Sequence, residues 1–171
     1  MERHGWSLYA HPLFLNQLER LLAGVERAKK SAPDEWRRKA DAQTLAAIRA
    51  LVFERIPRDP FSVEFRQGNT LGKEHRHWFR AKFGGSRFRL FFRADSQAKI
   101  IVYAWVNDRD TLRKAGASTD PYAVFIKMLA SGNPPDSWPA LMVAAQGLDE
   151  VARFVSVDKP ASTLQNASDE V

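Results

Sequence analysis

The sequence predicts an α+β domain, an N-terminal helical hairpin packed on a small antiparallel sheet. Three observations predict it. The apolar period is 3.6 residues ahead of Pro60 and 2 beyond it. The alternating segments are separated by connections of hairpin length, Gly84-Gly85-Ser86 and Asp95-Ser-Gln-Ala. Helices come first and strands follow, instead of alternating one with one.

Taken in order, Gly5-Trp-Ser-Leu-Tyr-Ala predicts a short leading strand. From His11 to Lys30 the apolar residues Phe14, Leu18, Leu21, Leu22 and Val25 form the stripe of an amphipathic helix, which Ser31-Ala-Pro-Asp interrupts. A second helix is expected from about Asp34 to Arg55, with Leu45, Ile48, Leu51 and Val52 on its buried side and Pro57 ending it. Phe79, Ala81 and Phe83 then alternate with Trp78, Arg80 and Lys82, and Phe88, Leu90 and Phe92 with Arg87, Arg89, Phe91 and Arg93. Lys99-Ile-Ile-Val-Tyr-Ala-Trp-Val completes a three-stranded meander. A helix from about Pro121 to Ala130 places Tyr122, Phe125, Ile126 and Leu129 on one side, and Gly132-Asn-Pro-Pro closes it. Ser137 to Leu148 adds a weak helix. Residues 1–148 are thus one domain, and 149–171 an acidic, flexible tail with little to bury.

Composition bounds the function. With 171 residues, 44% hydrophobic and 27% charged, the chain is ordinary globular protein of single-domain size. No apolar run approaches the roughly 18 to 20 residues of a membrane span, and Met1-Glu-Arg-His-Gly lacks a secretory layout, so a cytoplasmic protein without membrane contact is expected. The absence of Cys excludes disulfides, thiol nucleophiles and thiolate zinc sites. The net charge of +6 is unevenly spread: residues 66–114 hold 12 basic and 4 acidic side chains, residues 133–171 hold 2 and 6. Cations gathered in one segment point to a polyanion, nucleic acid first.

Alternation assigns Arg80, Lys82, Arg87, Arg89 and Arg93 to the sheet face opposite the phenylalanines. If the helices cover the phenylalanine side, these five cations stand on an open face, with Trp78 and Phe91 among them and Trp105 or Tyr103 beside them. Solvated strand positions account for one or two such charges. Five, interleaved with aromatic rings, suit phosphate contact and base stacking on a single strand. Like charges opposite each other on strands are otherwise unfavourable.

His75 and His77, in Lys73-Glu-His-Arg-His, stand at the entrance to the first meander strand, where Lys73 and Arg76 add charge. An imidazole that titrates near neutrality can take a proton from a ribose 2′-hydroxyl or return one to a leaving 5′-oxygen. Exposed polar histidines are the plainer reading. His-x-His is also half a metal site, but only His4 and His11 remain as imidazoles and no carboxylate pair is near in sequence, so neither metal nor cofactor is expected. In Asn107-Asp-Arg-Asp-Thr-Leu-Arg the polar residues cap or turn, while Arg109 and Arg113 extend the basic face with Asp108 orienting one of them. Walker, dinucleotide, Gly-x-Ser-x-Gly and His-Glu-x-x-His signatures are absent.

Several blocks in fixed order carry a resemblance: Gly5-Trp-Ser-Leu-Tyr-Ala-His-Pro, Leu71-Gly72, Trp78-Phe-Arg-Ala-Lys-Phe-Gly, Arg87-Phe-Arg-Leu-Phe-Phe-Arg, Trp105-Val-Asn-Asp, Asp110-Thr-Leu-Arg, Thr119-Asp-Pro-Tyr-Ala-Val-Phe and Gly132-Asn-Pro-Pro-Asp-Ser-Trp. From about residue 5 to residue 145 the chain resembles YhaV-type toxins of bacterial type II toxin–antitoxin pairs. The resemblance implies a RelE-like fold, ribosome-dependent cleavage of mRNA that halts translation, and a PrlF-type antitoxin through which the complex binds operator DNA. It also implies metal-independent attack of the 2′-hydroxyl on the adjacent phosphate, with Arg80, Lys82, Arg87, Arg89, Arg93 and Arg113 as the matching cations. His75-Arg-His matches no block of the family, so a proton-transfer role for it is read from spacing alone. The competing reading is a basic module that blocks RNA or the ribosome by occupancy, without cutting.

Overall fold

A computed structural model describes residues 1–148; the acidic tail expected over 149–171 lies outside the described residues. Strand β1, Glu2–Arg3, turns into β2, Trp6–Ala10. Helix α1 spans Pro12–Ser31. Its N-terminus is closed by the buried His11, whose Nδ1 accepts from the Leu13 N–H at 3.1 Å. A single 3₁₀ turn, Trp36–Arg38, leads into α2, Ala40–Ala50. The expected second helix therefore starts later and ends later, because α2 runs on through a widened π-turn, Leu51–Arg55, into α3, Ile56–Arg58. Pro57 sits inside that last turn. The Val52 carbonyl in the widened turn accepts the Tyr103 hydroxyl at 2.7 Å and ties the helical layer to the sheet.

The meander is β3, Phe79–Phe83, β4, Phe88–Asp95, and β5, Ile100–Val106. Strand β2 joins it parallel to β5, giving the order β1-β2-β5-β4-β3. The sheet is thus mixed, where an antiparallel one was expected, because the chain enters beside the last strand before the helices cross over. Helix α4 is Pro121–Ala130 and α5 is Trp138–Ala144; β6, Gln146–Gly147, then pairs with β2.

Side-chain alternation divides the apolar residues into two cores. One holds Phe14, Leu18, Leu22, Leu45 and Ile48 of the helices with Leu8, Leu90, Phe92 and Tyr103 of the sheet. The other holds Trp78, Phe91, Val102 and Trp105 against Tyr122, Phe125 and Leu129 of α4 and Leu141 of α5. The β4–β5 register slips between Phe91 and Phe92 of β4, whose partners are Trp105 and Tyr103, so Ala104 is the extra residue in β5 and Trp105 lands on the Phe91 side. There Phe125 stacks on Phe91 with ring centroids 4.2 Å apart.

This overturns one expectation. The cationic face of the sheet is not open: α4 and α5 cover it, and Trp78, Phe91 and Trp105 are buried in the second core rather than offered to bases. The physical reason is that β5 reads Ile-Ile-Val-Tyr-Ala-Trp-Val without a polar position, so both of its faces require cover.

Candidate active site

Alternation puts Arg80, Lys82, Arg89 and Arg93 on that second face, with Lys82 opposite Arg89 and Arg80 opposite Phe91. Covering the face sorts them into two groups. The first gathers at the N-terminal turn of α4. Arg80 Nε and Arg89 Nε both donate to the Tyr122 hydroxyl, at 2.9 and 3.0 Å. The remaining bonds of the two guanidiniums go to carbonyls: Arg80 to Glu64 at 2.7 Å, Arg89 to Ser86 and Phe88 at 2.8 and 2.9 Å. Both are nearly buried, with 8% and 4% exposure. Arg113 lies over the Tyr122 ring, 5.1 Å from its centroid.

Among the described residues, the single carboxylate in this group is Asp120. It caps α4 by accepting from the Tyr122 N–H, accepts the Lys114 N–H, and pairs with Arg113. Three guanidiniums therefore face one carboxylate and one phenol. Burial would raise the Tyr122 pKa, but hydrogen bonding from Arg89 and the charge of Arg80 outweigh it and hold the phenol below its ordinary 10.

Local sequence explains how the group is held. Gly84 takes φ +60 in the β3–β4 hairpin, and a Cβ there would meet the Phe88 ring at 2.6 Å. That hairpin delivers the Ser86 carbonyl to Arg89. Buried Asn107 accepts the Arg89 N–H at 2.6 Å and donates to the Arg87 and Thr111 carbonyls, fastening the segment after β5 onto the start of β4. The Arg113 N–H reaches the Arg87 carbonyl at 3.0 Å.

Asp108 does not orient an arginine. It closes a capping box with Thr111 and accepts from Gln17, so the plain turn reading of this segment is the correct one. Arg109 turns to the helical side of the sheet, pairs with Asp41 at 3.1 Å and lines a cavity of about 270 Å³ with Gln17 and Thr44; it does not extend the basic face. Lys82 and Arg87 are exposed beside the Tyr122 group.

The second group forms at the opening of β3. Asp136 Oδ1 accepts from Trp78 Nε1 at 2.7 Å and lies 2.8 Å from His77 Nε2 and 3.2 Å from His75 Nδ1. Burial disfavours the Asp136 carboxylate, but the Trp78 N–H and the His77 ring outweigh it and lower its pKa. Arg93 donates to the Asp136 carbonyl at 2.6 Å and lies between the Trp78 and Trp138 rings, 5.6 and 5.3 Å from their centroids. His75 and His77 thus join Arg93 rather than Arg80. A single carboxylate reaches the histidines, from 59 residues further along the chain from His77. Lys73 and Arg76 are exposed, Arg76 held by Asn69 at 2.8 Å.

Sequence reasoning missed Tyr122 and Asp136. Tyr122 was indistinguishable from its apolar neighbours in the α4 stripe; the only signal was the Asp120-Pro121 cap that fixes where the helix starts. Asp136 has no spacing signal at all.

A basic α+β domain with a phenol clasped by guanidiniums suits chemistry at a phosphodiester, and comparison with known proteins gives that class. A family model described as a toxin with endonuclease activity, of a toxin–antitoxin system, matches residues 8–146. This chain belongs to that family, the YhaV toxins, and so has an antitoxin as partner. Toxin YhaV of Escherichia coli O6:H1 is 44% identical over 139 residues, 81% of this chain and 90% of that protein. Ribonuclease toxin YhaV of Escherichia coli K12 matches with the same identity and coverage. No solved structure matches. Among the described residues no helix is long and apolar enough to cross a membrane.

Proposed function

We propose that this toxin cleaves mRNA on the ribosome by attack of a 2′-hydroxyl on the adjacent phosphate, without a metal ion, and that its fold is RelE-like. The observation that carries the reading is the Tyr122 hydroxyl held between Arg80 and Arg89. A nearly buried guanidinium without a counter-ion costs several kcal/mol, on the order of 3 to 5. Three guanidiniums against Asp120 leave positive charge that the described residues do not neutralise. A phosphodiester supplies the missing anion, and its pentavalent state supplies more of it.

The balance of the step follows. Tyr122, as phenolate stabilised by two guanidiniums, accepts the 2′-hydroxyl proton; the 2′-oxygen bonds to phosphorus, the P–O5′ bond breaks, and the 5′-oxygen takes up a proton from water, leaving a hydroxide that the Tyr122 phenol neutralises as it returns to phenolate. The products are a 2′,3′-cyclic phosphate and a 5′-hydroxyl. Arg80, Arg89 and Arg113 hold the equatorial oxygens, each donor contributing about 3 to 4 kcal/mol by analogy with oxyanion donors. Exposed Lys82 and Arg87 guide the backbone in. The ribosome orients the strand, which a site on a covered sheet cannot do alone.

A PrlF-type antitoxin neutralises the toxin in this reading, and the pair binds operator DNA through the antitoxin. Inducible expression with and without the antitoxin gene, with mRNA 5′ ends mapped during arrest, tests it. New ends within translated messages, suppressed by the antitoxin, are expected, and purified toxin should cut the same RNA poorly without ribosomes. Arrest with no new ends would establish inhibition by occupancy instead.

A further inference from the structure

We infer that His75, His77 and Asp136 form a binding site for a transition-metal ion of the zinc class, separate from the Tyr122 group and independent of the cleavage reading. One ring nitrogen of each of His75 and His77 and an Asp136 carboxylate oxygen lie within 4.8 Å of one another. In a tetrahedral site with metal–ligand distances of about 2.0 to 2.1 Å, ligand atoms stand about 3.3 Å apart. The two separations from Asp136 Oδ1, 2.8 Å to His77 Nε2 and 3.2 Å to His75 Nδ1, are close to that edge. Little movement would be needed to seat an ion, and the side chains are only partly buried, so one coordination position stays open to water.

The supporting residues are those a metal site needs. Trp78 Nε1 donates to Asp136 Oδ1 and fixes the carboxylate plane. Arg93 anchors the same residue by its backbone carbonyl, so the position of Asp136 does not depend on the ion. Glu74 Oε1, 4.0 Å from His75 Nε2, adds a second carboxylate at the rim. A donor set of two imidazoles and one carboxylate suits Mg²⁺ and Ca²⁺ poorly, because both prefer several oxygen ligands. Two imidazoles favour Zn²⁺, Ni²⁺ or Co²⁺.

The site joins two remote segments, the entrance to β3 and the turn ahead of α5. A bound ion would tie the α5 cover to the sheet and resist its opening. It has no contact with Tyr122, Arg80 or Arg89 and is not assigned a step in catalysis.

The test uses the tag-free full chain. Co²⁺ titration is expected to give a visible d–d absorption band saturating at one equivalent, displaced by Zn²⁺ and not by excess Mg²⁺, and Zn²⁺ should raise the Tm. His77→Ala and Asp136→Asn should each weaken binding at least tenfold. His4→Ala is the control, because His4 pairs with Glu54, lies outside the cluster and should leave binding unchanged. His77→Ala removes a partly buried ring, so circular dichroism checks that the variant still folds. No band at millimolar Co²⁺, a band lost in His4→Ala, or one retained in folded His77→Ala would overturn the inference. None of these outcomes bears on cleavage, which is read separately.

Discussion

Replacing Tyr122 by Phe removes one oxygen and little else. The ring keeps its edge contact with Phe91, at 5.8 Å between centroids, and Asp120 still caps α4 through the backbone N–H. What is lost is the common acceptor of Arg80 and Arg89. Two hydrogen bonds from charged donors, at about 1.5 to 3 kcal/mol each, bound the destabilisation at about 6 kcal/mol, and the carbonyl partners the guanidiniums retain lower it to about 2 to 4. The effect on rate is separate. Loss of a positioned base costs roughly 10² to 10⁴, which is about 3 to 5 kcal/mol of barrier. The assay is primer extension on mRNA in purified ribosome complexes, at a temperature where unfolding curves show both proteins folded. The pH profile adds a readout that packing does not move: wild-type cleavage should rise with pH toward a midpoint below 10, since the folded phenol is lowered, and Tyr122→Phe should lack that limb. A folded Tyr122→Phe protein that cuts within threefold of wild type would refute the assignment of Tyr122 as base.

Other perturbations act on named parts of the same framework. Lys82→Glu with Arg87→Glu, both exposed, should leave the Tm within a few degrees but weaken RNA binding and flatten its salt dependence by about 0.7 per lost phosphate contact; an unchanged slope in a salt titration would remove them from the RNA path. Asn107→Ala leaves the buried Arg89 N–H and two carbonyls without their partner, so chemical denaturation should show a loss of about 2 to 4 kcal/mol and cleavage should fall with it. His11 has its pKa lowered by burial, and its Nδ1 must be unprotonated to cap α1. The unfolded state then binds more protons below about pH 6.5, so stability is complete above that pH and declines as pH falls through the window. His11→Asn, which caps without titrating, should reduce this pH dependence in urea unfolding between pH 8 and 5.5.

Much of the scaffold was legible because periodicity reports burial directly. Phe14, Leu18, Leu22 and Val25 all face the sheet, and Phe88, Leu90 and Phe92 all face the helices, as alternation requires. Sidedness of Arg80, Lys82, Arg89 and Arg93 was legible for the same reason, whereas that of Arg109, beyond the strand, was not. Cover was not. Nothing in the α4 stripe says which sheet face receives it, although two local signals existed: the unbroken apolar run of β5 and the adjacent Phe91-Phe92, each of which demands apolar contact on both faces. The site was illegible in proportion to its sequence distance. Arg80, Arg89 and Arg113 were found as charges, but the acceptor that organises two of them is 42 and 33 residues away from Arg80 and Arg89. Asp136 meets its histidines only through the loop ahead of α5. The mixed sheet was missed because β2 and β5 are brought side by side by the helical crossover, a tertiary event without a local pattern.

The claim on which the account turns is that guanidiniums and a phenol, not water, direct the cut. End-group analysis of mRNA cleaved by the purified toxin on a programmed ribosome, with and without a single 2′-deoxy nucleotide at the scissile position, tests it most directly. A 5′-hydroxyl, a 2′,3′-cyclic phosphate and complete resistance of the deoxy substrate are predicted. A 5′-phosphate end, or cleavage of the deoxy substrate, would contradict it.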